Sequence, residues 1–226
     1  MKIGFFHTSP VHISTFDNLL VNTNLPVEPI HIVDEDLLSN AVSKGIDQSI
    51  QDQVEEHLLN LWEQKCGIIV CTCSTLGAIA EQISFEGSMV VRVDRPMAAM
   101  SVAQSHVILM VAVLSSTLIP TRELILDEAK RQGKPVRIQE LVIPKAWEDF
   151  LSNDLDAYHT RIAHEISSFI QDSGRCSAEL VPETILLAQA SMAGAKSYLA
   201  GIDQPVLSSP TTCIDFLKRR ISIENK

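Results

Sequence analysis

Short β-rich runs alternate with longer amphipathic ones along this chain, and the alternation starts over near its middle. Residues 3–6, 30–33, 68–70 and 90–93 read as strands, being short, rich in Ile, Val and Phe, and bounded by turn residues. Helical patterns lie between them, notably 49–64, with Val54, Leu58, Leu59 and Trp62 placed on one face. Strands alternating with helices are the signature of a parallel sheet covered by helices, an α/β fold. The series then restarts with strands at 107–114, 137–143 and 185–187, separated by helices at 122–131 and 147–171. The second of these helices breaks near Ser152-Asn153-Asp154, where Ser152 or Asn153 is placed to cap the piece that follows.

The restart is close to a repeat. Residues 71–78, CTCSTLGA, set above 188–195, AQASMAGA, pair Ser74 with Ser191, Gly77 with Gly194 and Ala78 with Ala195, while Cys73 falls on Ala190. Phe6-His7-Thr8 likewise falls on Ser115-Ser116-Thr117, and Val93-Asp94-Arg95-Pro96 on Leu207-Ser208-Ser209-Pro210. Three matches in the same order predict two pseudo-symmetric α/β lobes, each a parallel sheet flanked by helices. Residues 1–95 plus 206–226 form the first lobe and 96–205 the second, the tail returning at the turn that matches Asp94-Arg95-Pro96. Ligands of open α/β sheets bind beyond the carboxyl ends of the strands, so the active site is expected in the cleft between the lobes. Thr8, Ser9, Cys73, Ser74, Thr75, Thr117, Ala190, Ser191, Ser208 and Ser209 would line it. Hydroxyls and helix N-terminal N–H groups make an anion site without Lys or Arg.

Composition narrows the partners. With 226 residues, 46% apolar, the chain can bury a substantial core. Its 18 basic and 28 acidic side chains give a net charge of −10, and no stretch concentrates Lys and Arg enough to track a phosphate backbone. Nucleic acid is therefore excluded as a partner. The longest apolar run, 107–114, is far short of the roughly 20 residues of a membrane span. The opening MKIGFFHTSP has too short an apolar core for an export signal, and five irregularly spaced cysteines do not make a disulfide framework. A reducing cytoplasm with free thiols is the expectation.

Cys73 is the candidate reactive group. A cysteine near a helix N-terminus has its thiolate stabilised by the dipole and free N–H groups, which suits a base or nucleophile. Cys71, one turn of the pleat further back, reads as structural. Cys66, Cys71 and Cys73 lack zinc-ribbon spacing and a second pair, so no metal and no other cofactor is expected. His7 either orients the thiol and binds substrate or caps local backbone. Ser191 either holds a carboxylate oxygen or is a small residue needed for packing. Gly77 and Gly194 read as close helix–strand contacts, not a phosphate cradle. Trp62 and Trp147 read as core.

The chain resembles the aspartate/glutamate/hydantoin racemase superfamily. The likeness rests on Cys73-Ser74-Thr75, similar to that family's Cys-Asn-Thr, on the polar strand exits His7-Thr8-Ser9-Pro10 and Ser116-Thr117, and on Ala190-Ser191. It implies two facing lobes, no cofactor, and a pair of cysteines on opposite faces of the substrate's α-carbon. The chain departs from that pattern at the second motif, where Ala190-Ser191-Met192 stands for Cys-Thr and a variable residue. The expected function is thus a racemase-like isomerase acting next to a carboxylate of a small acid through Cys73. A one-thiol decarboxylase or cis–trans isomerase, or a non-catalytic small-acid binder, is the alternative. The partner expected is the small acid, with a homodimer allowed.

Overall fold

The computed structural model describes residues 1–23, 25–176 and 181–224. The chain divides into two compact units, Met1–Arg95 with Pro210–Lys226, and Pro96–Ser209. In chain order the elements are β1 (Lys2–His7), α1 (Val11–Val21), β2 (Glu28–Val33), α2 (Glu35–Lys44), α3 (Gln48–Glu63), β3 (Cys66–Cys71), the single turn α4 (Gly77–Ala80) and β4 (Met89–Arg92). They continue with α5 (Arg95–Gln104), β5 (Val107–Ala112), α6 (Leu118–Gln132), β6 (Arg137–Val142), α7 (Pro144–Leu151), α8 (Leu155–Cys176), β7 (Thr184–Leu187), β8 (Val206–Ser208) and α9 (Ser209–Glu224). Strands β1–β4 make one sheet in the order β2-β1-β3-β4, and β5–β8 another in the order β6-β5-β7-β8, all neighbours parallel.

Each sheet is buried on both faces, which is why its central strands are near-continuous apolar runs. In the first unit Phe6, Ile69, Cys71 and Cys73 face Leu37 and Ala41 of α2 and Ile50, Val54, Leu58 and Leu61 of α3. Ile3, Phe5, Ile68 and Val70 face the other way, against Phe16 and Leu20 of α1 and Cys213, Ile214, Leu217 and Ile221 of α9. The second unit repeats the plan. Leu109, Val111, Ile185 and Leu187 meet Tyr158, Ile162 and Ile166 of α8, and Ile108, Met110 and Leu186 meet Met97 and Val102 of α5 and Leu124 and Ile125 of α6.

Local differences from the sequence reading have simple causes. The inward stripe of α3 is Ile50, Val54, Leu58 and Leu61, and Leu59 points to solvent. Trp62 instead lies at the margin, stacked on Phe85 at 5.7 Å. The break between α7 and α8 falls at residues 152–154, with Asn153 at φ 60°, yet the cap is Asp154, whose Oδ1 accepts from Ala157 N–H at 3.0 Å. Val206–Ser208 is a strand paired with β7, so the segment returning to the first unit begins at Pro210 instead of 206. Among the described residues no helix is long and apolar enough to cross a membrane.

The two ladders correspond residue by residue. The N–H of Thr72 bonds the carbonyl of Phe6 and that of Ala188 bonds Val111; the N–H of Asp34 bonds His7 and that of Ile143 bonds Ala112. His7 therefore corresponds to Ala112, Thr8 to Val113 and Thr72 to Ala188. Arg92, opposite Cys71, corresponds to Ser208, opposite Leu187. The matches proposed from sequence lie off this register: residues 115–117 form a 3₁₀ turn before α6, and Ser209, not Leu207, corresponds to Val93.

Candidate active site

In each sheet the chain order reverses between the two central strands, the position where open α/β sheets bind ligands. In the first unit this point is flanked by Thr8, just past β1, and Cys73, just past β3. The Cys73 sulfur is reached by the Thr8 hydroxyl and by the backbone N–H groups of Thr75 and Leu76. It is 7% exposed, whereas Cys66, Cys71 and Cys213 are fully buried. Burial pushes the Cys73 thiol up; the three donors pull it down without cancelling that push, and the Asp94 charge adds to it. The helix-dipole argument thus fails here, because α4 has only four residues and too little dipole to outweigh desolvation. Cys73 rests as a neutral thiol, a proton donor backed by groups ready to hold the sulfur anion.

The loop that carries it is held from below. Arg92 donates to both oxygens of the fully buried Asp94, at 2.7 and 2.9 Å, and to the Ser74 carbonyl at 3.3 Å. Burial disfavours the Arg92 charge, and the Asp94 carboxylate more than offsets it. Glu81 lies 3.8 Å from the same guanidinium and also pairs with Arg95. Gly77 leaves room for this network, since a Cβ there would stand 3.0 Å from Arg92 Nε.

Two further groups were not read from sequence. Asp34, after β2, accepts from Leu37 N–H with one oxygen at 3.0 Å, capping α2, and from His57 Nε2 with the other at 2.9 Å. His57 stacks on Phe6, in the cluster that contains Cys73. The acidic run Asp34-Glu35-Asp36 is a helix-start signal that could have located the cap, but not the histidine. His7, by contrast, lies on the opposite face from Cys73: its ring stacks with Phe5 and reaches Phe16, and its Nδ1 meets Thr72 Oγ1 at 2.9 Å. It does not orient the thiol.

In the second unit the ladder places Gln189, one residue beyond Ala188, at the position of Cys73. The sequence pairing with Ala190 is therefore one residue out, because residues 190–198 have already turned into a 3₁₀ segment. Gln189 Oε1 accepts from Val113 N–H at 2.7 Å and Leu114 N–H at 3.4 Å, so a neutral amide oxygen fills this backbone cradle. Ser191 bonds the Tyr158 hydroxyl at 2.9 Å and its carbonyl meets His159 Nε2 at 3.3 Å. Burial pushes Tyr158 up to about 12, so the pair is neutral. Gly194 belongs to the same contact: a Cβ there would run into the His159 ring.

The remaining expected residues divide between the units. Ser9, just past β1, and Thr75 are half-buried and Ser74 is buried; in the second unit Ser208 is buried as the last residue of β8, and Thr117 and Ser209 are buried beyond the ends of β5 and β8. Cys71 is core, its thiol 3.8 Å from the Cys73 carbonyl. Cys213 packs between α9 and the first sheet, on the face away from Cys73, with its pKa pushed up to about 12 by burial. The side chain of Cys176 lies outside the described residues.

No family profile and no curated protein sequence matches the chain. Solved structures do. An aspartate racemase from Picrophilus torridus superposes with a TM-score of 0.71 at 14% identity, over 98% of this chain and 94% of the other. An allantoin racemase from Pseudomonas fluorescens gives 0.62 at 14%, over 99% and 92%. A glutamate racemase from Thermus thermophilus, solved with β-chloro-D-alanine, gives 0.60 at 17%, over 99% and 81%. Over nearly its whole length, the chain has the fold of the aspartate, glutamate and allantoin racemases.

Proposed function

We propose that the chain is a cofactor-independent enzyme of the aspartate/glutamate/hydantoin racemase superfamily, acting at the carbon next to a carboxylate of a small acid through the single thiol of Cys73. The observation that carries this reading is the state of that thiol. It is protonated, slightly open, and ringed by the Thr8 hydroxyl and two backbone N–H groups. When an enediolate-like carbanion forms beside it, the S–H bond breaks, the proton goes to carbon, and the sulfur keeps the electron pair. The same three donors then stabilise the thiolate until it takes a proton back.

Gln189 decides which reactions this favours. A carboxamide neither gives up nor takes a full proton near neutral pH, and its oxygen is engaged by Val113 and Leu114. Protonation from one face is enough for decarboxylation of a small dicarboxylic acid, and for cis–trans isomerisation of a small unsaturated acid one thiolate is enough, adding to the double bond and leaving again after rotation. Inversion at carbon needs a second proton carrier. A one-thiol reaction is accordingly our first choice, with racemisation of aspartate or glutamate slow.

The test is incubation in heavy water with a panel of small mono- and dicarboxylic acids, followed by proton NMR. The expected result is deuterium at the α-carbon or a single product, lost in Cys73→Ala. Turnover undiminished in that variant would remove Cys73 from the chemistry, and tight binding without exchange would make the protein a binder.

A further inference from the structure

On the first-sheet face away from Cys73, polar groups form an unbroken chain. Thr72 Oγ1 meets His7 Nδ1 at 2.9 Å, His7 Nε2 meets His31 Nδ1 at 2.8 Å, and His31 Nε2 meets Asp17 Oδ1 at 3.1 Å. The chain begins fully buried at His7 and ends at the surface, His31 being 14% and Asp17 44% exposed. Stacking fixes the rings: His7 on His31 at 5.1 Å, and Phe5 on His31 at 5.3 Å.

Donor counting allows this geometry two proton arrangements. In one, the Thr72 hydroxyl donates to His7 Nδ1, His7 Nε2–H to His31 Nδ1, and His31 Nε2–H to Asp17, with both rings neutral. In the other, the Thr72 hydroxyl donates to the Phe6 carbonyl, 3.0 Å away. His7 Nδ1–H then donates to Thr72, His31 Nδ1–H to the bare His7 Nε2, and His31 Nε2–H to Asp17. His31 is now an imidazolium paired with a carboxylate. The two arrangements differ by one proton and use the same heavy-atom positions.

We propose that Thr72, His7, His31 and Asp17 form a proton relay that accepts one proton at the end of β3 and holds it at His31 beside Asp17. The balance is complete. Hydronium at the strand end gives up one proton and is left as water; that proton binds His7 Nδ1 as the Thr72 hydroxyl turns to Phe6, the Nε2 proton of His7 passes to His31 Nδ1, and the positive charge appears on His31. Running backwards, the relay returns the proton to the strand end from which the Cys73 loop departs.

The surroundings keep His7 a conduit and not a store. Burial, then the charges of His31 and His12, hold His7 down at about 3, and burial holds His12 at about 4. The titratable groups facing the relay are His12 and Asp17 of α1, while α9 brings Cys213, Ile214, Leu217 and Ile221 to the same cluster.

Histidine nitrogen NMR on the full ¹⁵N-labelled chain tests this without reference to the chemistry of Cys73. On acidification His31 should become doubly protonated while His7, still neutral, changes from the Nε2–H to the Nδ1–H tautomer with the same midpoint. Asp17→Asn should move both events together to lower pH. Thr72→Val, which keeps the shape, takes the acceptor from His7 Nδ1–H, so the His7 switch and the second protonation of His31 should move together to lower pH. A His7 tautomer that stays constant while His31 gains its second proton, or a midpoint that Thr72→Val leaves in place, would overturn the relay.

Discussion

Thr8→Val removes one hydroxyl from beside Cys73 and keeps the side chain's volume. Thr8 is 8% exposed and its hydroxyl reaches the sulfur, so the lost contact is a buried hydrogen bond to the anionic form of the thiol. Hydrogen bonds to charged groups contribute about 1.5–3 kcal/mol, against about 1 kcal/mol for a neutral pair. The thiolate therefore loses more than the thiol, and Cys73 should move further up. The difference, about 0.5–2 kcal/mol, makes the thiolate roughly 2- to 30-fold scarcer at any pH below its midpoint, since about 1.4 kcal/mol is a factor of ten. Thiolate is the form that attacks iodoacetamide. Timed alkylation at pH 8, read by peptide mass spectrometry at Cys73, should slow by that factor while the melting temperature changes little. The fully buried Cys66, Cys71 and Cys213 serve as internal references, and Cys73 should be the first of the four to label. An unchanged or faster rate in Thr8→Val would show that the hydroxyl does not support the thiolate and that site access, not ionisation, limits reaction.

Gln189→Cys should raise aspartate or glutamate racemisation by roughly tenfold or more, if acid–base help is worth its usual ~10²–10⁴ and the geometry is only partly right; Cys73→Ala should abolish the gain, as followed by chiral chromatography. Robust racemisation by the natural chain would contradict the assignment. His7 is held at about 3 when folded and titrates near 6.5 when unfolded, so the unfolded chain binds more protons between these values. Its effect is therefore a loss of stability as pH falls through that window, about 2 kcal/mol by pH 5, with His12 acting in the same direction. Urea melts from pH 7 to 5 should show it, and His7→Gln should flatten the slope. Gly194→Ala should destabilise by about 1–3 kcal/mol because the new methyl meets the His159 ring; adding His159→Ala should recover most of the loss, measured by thermal melting.

The parallel sheets, their helices and the position of Cys73 were legible from the sequence, because a strand buried on both faces must be an apolar run and a helix on it must carry a stripe. The runs around Ile69 and Ile185, and the punctuation at Ser74 and Gly194, follow from local periodicity alone. Register did not. Which residue matches Cys73 depends on which carbonyl the N–H of Ala188 finds, a pairing between strands 77 residues apart in the chain (188 − 111), and similarity of small residues pointed to Ala190 where the ladder puts Gln189. The faces were also decided only by tertiary structure. Alternation says that His7 and Thr8 point opposite ways, but only the packed helices determine that Thr8 shares its side with Cys73, while His7 turns toward Phe16 and His31. Ionisation belongs to the same class. Two backbone N–H groups beside Cys73 suggest a thiolate, yet desolvation depends on every atom that excludes water from the sulfur, and those atoms come from segments of chain far from Cys73 in sequence.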